Sequence, residues 1–269
     1  MKKKIVSILL IGILLIGLTG CKNTNYLNGE YVYLDNAFAS YDCNEDECIF
    51  DMSSIYPGGE FVEQTYVYKL EEKGKNVYKV HFTNKENGQE HTATWNKEED
   101  NLYVEDLKIN CRKTININKE VNTAGLKIKM TNIYSDKNLS YNINEFDNNF
   151  LLTSSTTTDS ITALDNYNFL GFEYTLIFNG AADYSINLYE LFSAYNKNYE
   201  KYDINELWCI GGRAPLFQEN INLYFSEEVK DVPFVYRGYF TIPEEEEVIY
   251  IKVNDDSKEI YSISLKNIK

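Results

Sequence analysis

The chain has 269 residues, with 41 acidic and 26 basic side chains and a formal net charge of −15. This charge argues against a nucleic-acid-binding protein, because such binding needs clustered lysine and arginine. It also disfavours adhesion to anionic lipid headgroups. The 23 tyrosines, 14 phenylalanines and only four prolines favour β-structure, since aromatic residues suit pleated, half-buried surfaces. We therefore expect an all-β protein.

The first twenty residues have the pattern of a secretory signal peptide. Three lysines precede an almost unbroken run of isoleucine, leucine and valine over residues 5–16, and small residues follow. The apolar stretch of about sixteen residues is short for a permanent span, which needs ~20; an uncleaved anchor helix is the alternative. The end of the leader, Leu18-Thr19-Gly20-Cys21, resembles the lipobox of bacterial lipoproteins. That resemblance implies a diacylglyceryl group on the Cys21 thiol, cleavage before Cys21, and attachment to the extracytoplasmic face of the cell membrane.

A lipidated tether over residues 21–27 leads into a small antiparallel β domain, which we place at residues 28–113. Its predicted strands cover residues 29–34, 48–52, 61–70, 77–83, 90–95, 102–104 and 107–113. This up-and-down succession resembles small lipocalin-like barrels or sandwiches.

Asn87-Gly88 is the strongest hairpin signal in the chain. If these two residues form the loop, Phe82 lies opposite Ala93 and Val80 opposite Trp95. The four side chains then share one face of the hairpin, which we predict to be core.

Cys43 and Cys48 flank a four-residue loop that looks like a hairpin turn, so they would face each other across adjacent strands as a disulfide or as two reduced thiols. Cys111 alternates with apolar neighbours and is expected to be a buried thiol. Cys209 stands alone in the second half of the chain.

No residue pattern predicts a catalytic, metal or cofactor site. The only two histidines, His81 and His91, fall on opposite faces of the predicted hairpin and so do not share a zinc ion. The acidic residues around the cysteine loop lack the order of a calcium-binding EF-hand, and a solvated loop tip is the simpler interpretation; they are Asp42, Glu45, Asp46, Glu47 and Asp51. The acidic run at residues 244–247 is interpreted as a solvated turn.

Three tyrosine pairs have the spacing of either a recognition surface or an ordinary sheet face. We favour the sheet face. The pairs are Tyr31/Tyr33, Tyr66/Tyr68 and Tyr236/Tyr239.

Residues 114–120 are predicted to be a linker, and residues 121–269 a second β domain. Its alternation begins at Leu126, Ile128 and Met130, and strands are predicted at residues 169–179, 184–194, 222–225, 234–242, 248–253 and 260–266. A polar, insertion-like stretch near residues 140–165 separates the opening alternation at Leu126, Ile128 and Met130 from the strands that follow.

The second domain resembles the immunoglobulin-like domain of unknown function found in Gram-positive lipoproteins, which is related in fold to a secreted mycobacterial antigen. The sequences that carry the resemblance are Val121-Asn122-Thr123-Ala124-Gly125-Leu126-Lys127-Ile128, Phe172-Glu173-Tyr174-Thr175-Leu176-Ile177-Phe178-Asn179 and Arg237-Gly238-Tyr239-Phe240-Thr241-Ile242-Pro243-Glu244. The polar stretch and Trp208-Cys209-Ile210-Gly211-Gly212 depart from the family pattern. The resemblance implies an immunoglobulin-like β-sandwich and an envelope location, and no catalytic residues.

These features favour a membrane-anchored extracytoplasmic lipoprotein that acts as a non-catalytic binding or interaction module. Its expected partners are the membrane, through the lipid, and an envelope protein or small ligand; no nucleic acid and no cofactor are expected. Two alternatives remain: a lipocalin-like carrier with its ligand inside the first domain, and a hydrolase that uses two carboxylates.

Overall fold

The fold is all-β, as predicted. The computed structural model describes residues 25–52, 63–123, 125–146, 152–180, 184–187, 191–202, 204–210, 222–225, 230–253 and 258–268. Of these, residues 139–146, 152–161, 184–187, 204–210, 222–225 and 267 are described by their backbone only. Within these ranges no helix has the length and apolar character needed to cross a membrane.

The first eight strands form a closed antiparallel barrel. They are β1 Gly29–Tyr33, β2 Ala39–Cys43, β3 Glu47–Asp51, β4 Gln64–Gly74, β5 Val77–Asn84, β6 Glu90–Asn96, β7 Asn101–Val104 and β8 Ile109–Lys113. Each strand pairs with its neighbours in sequence, and β1 closes the barrel against β8, with Tyr31 opposite Lys113. Each predicted strand overlaps an observed one, with Phe61 and Val62 outside the described residues, and β2 is a strand that the sequence analysis did not predict.

Aromatic side chains fill the barrel interior. Tyr41 on β2 stacks on Phe50 at 4.2 Å between ring centroids and lies 5.2 Å from Phe82 on β5. Its hydroxyl is 3.1 Å from Nε2 of His91 on β6, the strand opposite β2. Side chains therefore meet across the full width of the barrel, as an eight-stranded barrel permits.

The hairpin between β5 and β6 has the predicted core face but a different register. Phe82 lies opposite His91 and Val80 opposite Ala93, two residues away from the predicted pairing. The tight turn is wrong because a type I′ turn needs positive φ at both central residues, and here only Gly88 has it, at 71°. Instead, Asn84 Oδ1 accepts hydrogen bonds from the backbone N–H groups of Glu86 and Asn87, which sets a longer loop.

The described strands of the second half form two larger sheets and two two-stranded ones. The strands are β9 Glu120–Thr123, β10 Leu126–Asp136, β11 Asn138–Phe146, β12 Leu152–Thr162, β13 Tyr167–Phe178, β14 Tyr184–Asn187, β15 Phe192–Tyr195, β16 Lys201–Tyr202, β17 Ile204–Ile210, β18 Asn222–Phe225, β19 Pro233–Pro243, β20 Val248–Val253 and β21 Ile260–Ser264. A short 3₁₀ helix, Leu265–Asn267, follows.

The two larger sheets pack face to face as a β-sandwich. One has the order β17-β19-β13-β10-β9 and the other β16-β15-β20-β21. Phe192 of the second sheet contacts Phe172 and Tyr174 of the first, with ring centroids 5.2 and 4.7 Å apart. Alternate residues of both sheets, such as Ile128 and Ile251, complete one buried core.

Three parts of the second half are more complex than the sequence analysis predicted. The polar stretch near residues 140–165 contains the β11–β12 hairpin, which its many threonines suit because they are β-branched. The predicted strand at residues 184–194 is divided into β14 and β15, which belong to different sheets. The segment after β8 is anchored at its start, since Ile115 is buried and its N–H bonds to the carbonyl of Ile260.

Candidate functional site

The barrel and the sandwich share an apolar contact. The outward side of β1, β2 and the loop between them meets the outer face of the β15-β20-β21 sheet. The buried residues of this contact are Val32, Leu34, Phe38, Tyr195, Tyr250 and Ile260. Phe38 and Tyr250 have ring centroids 5.0 Å apart, so the two domains are packed directly against each other.

Hydrogen bonds and ion pairs cross the same junction. The hydroxyl of Tyr250 donates to Oε1 of Glu30 at 2.5 Å, and the hydroxyl of Tyr199 donates to the carbonyl of Asp35 at 2.7 Å. Lys252 Nζ lies 3.3 Å from the Asp35 carboxylate. These contacts join the start of the barrel to residues more than 160 positions later in the chain.

Beside the apolar contact, the junction opens into a polar cavity of about 600 Å³. Both domains supply its walls, and the walls combine carboxylates, hydroxyls and a lysine. The barrel contributes Glu30, Ser40, Asp42 and Asp51, and the sandwich contributes Lys197, Tyr250, Ser262 and Ser264.

Burial dominates the electrostatics of Glu30 in this cavity. Loss of solvent raises the pKa of its carboxyl above the ordinary value, because a buried charge is poorly solvated. Hydrogen bonds from Tyr250 and Ser262 oppose the shift, since they favour the ionised form, whereas the charge of Asp42 reinforces it. Glu30 is thus a carboxyl whose proton affinity is raised by its position between two domains.

Lys197 reaches from the sandwich to two carboxylates of the barrel. Its Nζ lies 3.4 Å from Oδ2 of Asp51 and 3.9 Å from Oε1 of Glu63. Asp51 is only 2% exposed. The lysine therefore balances part of the negative charge in the cavity wall.

The cavity wall has groups that can recognise a polar ligand through hydrogen bonds. Across the side chains that the structure describes, no three histidine, cysteine, aspartate or glutamate residues are grouped to hold a metal ion. The hydroxyls and carboxylates accept hydrogen bonds, and the hydroxyls and the lysine also donate them.

The predicted acidic loop is divided by the structure. Asp42 and Asp51 lie on the wall of the junction cavity, whereas Glu47 pairs with Lys85 at 2.6 Å near the hairpin tip. Glu47 and Asp51 lie on the same face of β3, but they are four residues apart, or ~13 Å at 3.3 Å per residue, so these acids do not converge.

Cys43 and Cys48 are joined in a disulfide with a Cα–Cα distance of 4.0 Å. They lie directly opposite each other at the ends of β2 and β3, where the loop spacing placed them. Cys111 is a free, fully buried thiol, and burial raises its pKa. Cys21 lies outside the described residues, and Cys209 is described by its backbone only.

The two histidines occupy opposite faces of the β5–β6 hairpin. His81 is exposed and lies 3.3 Å from Glu71, whereas His91 stacks on Phe82 inside the barrel, with ring centroids 4.7 Å apart. Burial lowers the pKa of His91.

The three tyrosine pairs provide no exposed aromatic patch. Tyr31, Tyr66, Tyr236 and Tyr239 are buried, and Tyr33 and Tyr68 are partly buried. Tyr250, which sequence reasoning missed, is the tyrosine that faces the cavity. A signal for it exists, because β20 carries bulky residues on both sides of the strand.

Comparisons with known proteins define no family for this chain. No protein-family profile and no curated protein matches it. A crystal structure of an uncharacterised β-sandwich protein from Clostridium difficile 630 aligns with 57% of this chain and 97% of its own, at 10% identity and a TM-score of 0.37. A likeness of this size carries no functional conclusion.

Proposed function

We propose that this protein is a non-catalytic binding protein, anchored by lipid to the extracytoplasmic face of a bacterial membrane, and that it binds a small polar ligand between its two domains. The polar cavity at the junction carries this proposal. Ligand sites occur preferentially at domain interfaces and have a few convergent polar groups. The cavity, of about 600 Å³, falls in the usual size range for such sites.

The barrel interior is a poorer candidate for the ligand site. Tyr41 contacts both Phe82 and His91 across the barrel. A carrier function would require these packed rings to separate, at the cost of their mutual contacts. The lipocalin-like alternative therefore receives less support than the junction.

The lipid anchor is supported by the leader and by the sequence Leu18-Thr19-Gly20-Cys21. Two or more acyl chains hold a protein stably, at ~0.8 kcal/mol per buried methylene. Cys21→Ala should release the protein from membranes or stop its maturation. A Cys21→Ala protein that is processed and stays fully membrane-bound would contradict the anchor.

We also propose that the sandwich is related to the immunoglobulin-like domains of Gram-positive lipoproteins. The sequences that carry this resemblance fall in β9, β10, β13 and β19, which are neighbours in one sheet. The relationship supports a location in the cell envelope, and it does not identify a ligand.

Ligand binding can be tested by thermal denaturation with a defined panel of monosaccharides, amino acids and polyamines. A ligand at 100 times its Kd stabilises the folded state by ~2.7 kcal/mol, which is a Tm rise of about 5–10 °C for a protein of this size. Ser264→Trp, at an exposed position on the cavity wall, should abolish the rise. Val67→Trp, on the exposed outer face of β4, should not. If both variants respond like the wild type, the junction is not the site.

A carboxylate-dependent hydrolase is the second candidate, favoured by one observation. Glu30, with its raised pKa, lines the same cavity as Asp42 and Asp51, and carboxyls in different environments can divide acid and base roles. Turnover of nitrophenyl glycosides that falls ~100-fold or more in Glu30→Gln would favour this candidate. Binding without turnover in the wild type would favour the first.

A further inference from the structure

We infer that one end of the barrel lies against the headgroup surface of the phospholipid bilayer, held there by a tether that is pinned to the barrel. This end, which we name the proximal end, consists of the turns at residues 44–46, 75–76 and 97–100. The inference rests on the proposed lipid at Cys21 and adds an orientation to it.

The tether is bound to the barrel from Asn25 onward. Lys97 Nζ donates a hydrogen bond to Oδ1 of Asn25 at 2.8 Å. Leu27 is fully buried in the barrel core, and its carbonyl accepts a hydrogen bond from the hydroxyl of Tyr68 at 3.2 Å. The same hydroxyl donates to the carbonyl of Asn44 at 2.7 Å. The segment before β1 is thus a fixed part of the proximal end.

The topology gathers the three turns at this end. In an up-and-down barrel, every second turn lies at the same end, so the turns after β2, β4 and β6 lie together. The N–H of Lys97 bonds to the carbonyl of Asn76 at 2.9 Å, which joins two of the turns directly. The turns at residues 85–88 and 105–108 lie at the opposite, distal end.

The free length of chain is too short to let the barrel move away from the membrane. Three residues lie between Cys21 and Asn25, and the four residue-to-residue steps span at most ~14 Å when fully extended. The eight-residue strand β5 spans ~26 Å at 3.3 Å per residue. The barrel is therefore longer than the tether, and the distal turns stay away from the lipid when the proximal end is near it.

The charge of the proximal end shows what holds it there. Its turns carry Lys75 and Lys97 but also Glu45, Asp46, Glu98, Glu99 and Asp100. This excess of acids does not attract anionic lipid. The tether, and not charge, therefore holds this end at the bilayer. We expect the unlipidated protein not to bind vesicles.

The orientation can be measured on the full-length lipidated protein in phosphatidylcholine vesicles that carry a headgroup-attached nitroxide quencher. A fluorescent amino acid is placed at Glu45 or Asn76 on the proximal end, and at Asn87 or Lys108 on the distal end. We expect at least twofold stronger quenching at the two proximal positions. Equal quenching at both ends, or stronger quenching at the distal end, would overturn the inference.

A linker variant provides the matched control. Twenty glycine and serine residues inserted between Thr24 and Asn25 add a flexible span of ~25 Å, which should remove the difference between the two ends while the protein still floats with vesicles. Flotation tests the lipid anchor separately from the orientation. Wild-type protein that fails to float would overturn both the anchor and the orientation, whereas flotation with uniform quenching would overturn the orientation alone.

Discussion

The hydroxyl of Tyr250 should stabilise the domain junction in a pH-dependent manner. Tyr250→Phe removes the hydroxyl that donates to Glu30 at 2.5 Å. The ring remains, and with it the contact to Phe38 at 5.0 Å between centroids. The substitution therefore tests one hydrogen bond without opening a cavity in the apolar contact.

The size of the effect follows from the charge on the acceptor. A hydrogen bond to a charged group contributes about 1.5–3 kcal/mol, and a neutral pair about 0.5–1.5 kcal/mol. Because burial raises the pKa of Glu30, the folded state holds its proton more tightly than the unfolded state. The Glu30 contribution is consequently most favourable below the unfolded pKa and declines as the pH rises through the folded one.

The Tyr250 bond opposes that decline because it favours the ionised carboxylate. Tyr250→Phe should therefore cost about 1.5–3 kcal/mol at pH 8 and about 0.5–1.5 kcal/mol at pH 4. Tyr250 itself does not ionise at pH 8, since burial and the Glu30 charge raise its pKa well above its ordinary value of 10.

Urea denaturation at both pH values, on the wild type, the two single variants and the Tyr250→Phe/Glu30→Gln double variant, measures these costs. In the Glu30→Gln background, where the introduced amide stays neutral, Tyr250→Phe should cost the same at pH 4 and pH 8. Tyr261→Phe is the matched control, because the Tyr261 hydroxyl donates to the backbone carbonyl of Lys119 at 2.8 Å and this acceptor does not titrate. An equal loss at both pH values for Tyr250→Phe in the protein that retains Glu30 would refute the reasoning.

Three further predictions concern the barrel. Reduction of the Cys43–Cys48 disulfide, which closes a five-residue separation, should lower the free energy of unfolding by about 2 kcal/mol; an unchanged urea midpoint under reducing conditions would contradict it. Phe82→Ala should cost about 3–5 kcal/mol, because Phe82 is fully buried among rings, whereas Val67→Ala on the outer face should stay within about 0.5 kcal/mol; similar unfolding curves for both would mean that the interior is not packed as described. Cys111 should resist alkylation in the folded protein and react after unfolding, as read by peptide mass spectrometry, since it is buried and its pKa is raised; labelling in the native state would show that the barrel opens.

The barrel core was predictable because its alternation survives errors of register. The prediction placed Val80 opposite Trp95, whereas the structure pairs it with Ala93. A shift of two residues keeps every side chain on its side of the sheet, while a shift of one would reverse them all. The four predicted core residues of the hairpin are therefore buried even though their partners are wrong.

Local sequence signals could not predict strand β2 or the register of the β5–β6 hairpin. β2 has the sequence Ala-Ser-Tyr-Asp-Cys, and its polar Ser40 is nevertheless buried because it faces the sandwich. Burial of this kind depends on a domain that lies far away in sequence. In the same way, the side chain of Asn84, not the Asn87-Gly88 pair, determines how the loop turns.

The junction left one signal in the sequence. A barrel strand with a solvated outer face should alternate apolar and polar residues, yet β1 and the residue after it read Gly-Glu-Tyr-Val-Tyr-Leu, with bulky groups on both faces. Tyr31 and Tyr33 turn inward, and Val32 and Leu34 turn outward into the contact with the sandwich. Two-sided bulk in an early strand thus indicated a second covered face, although not which part of the chain covers it.

Because Tyr250 and Glu30 belong both to the domain contact and to the cavity wall, ligand binding and domain packing should be thermodynamically linked. A ligand that contacts both walls binds the packed arrangement in preference to a separated one, and so stabilises it. The reverse must also hold, because such a coupling is reciprocal. If Tyr250→Phe loosens the junction enough for the separated arrangement to become populated, the apparent affinity of any cavity ligand should be its intrinsic affinity multiplied by the fraction of molecules that remain packed. A ligand confined to the barrel interior would show no such dependence, which distinguishes recognition at the junction from carriage within the barrel.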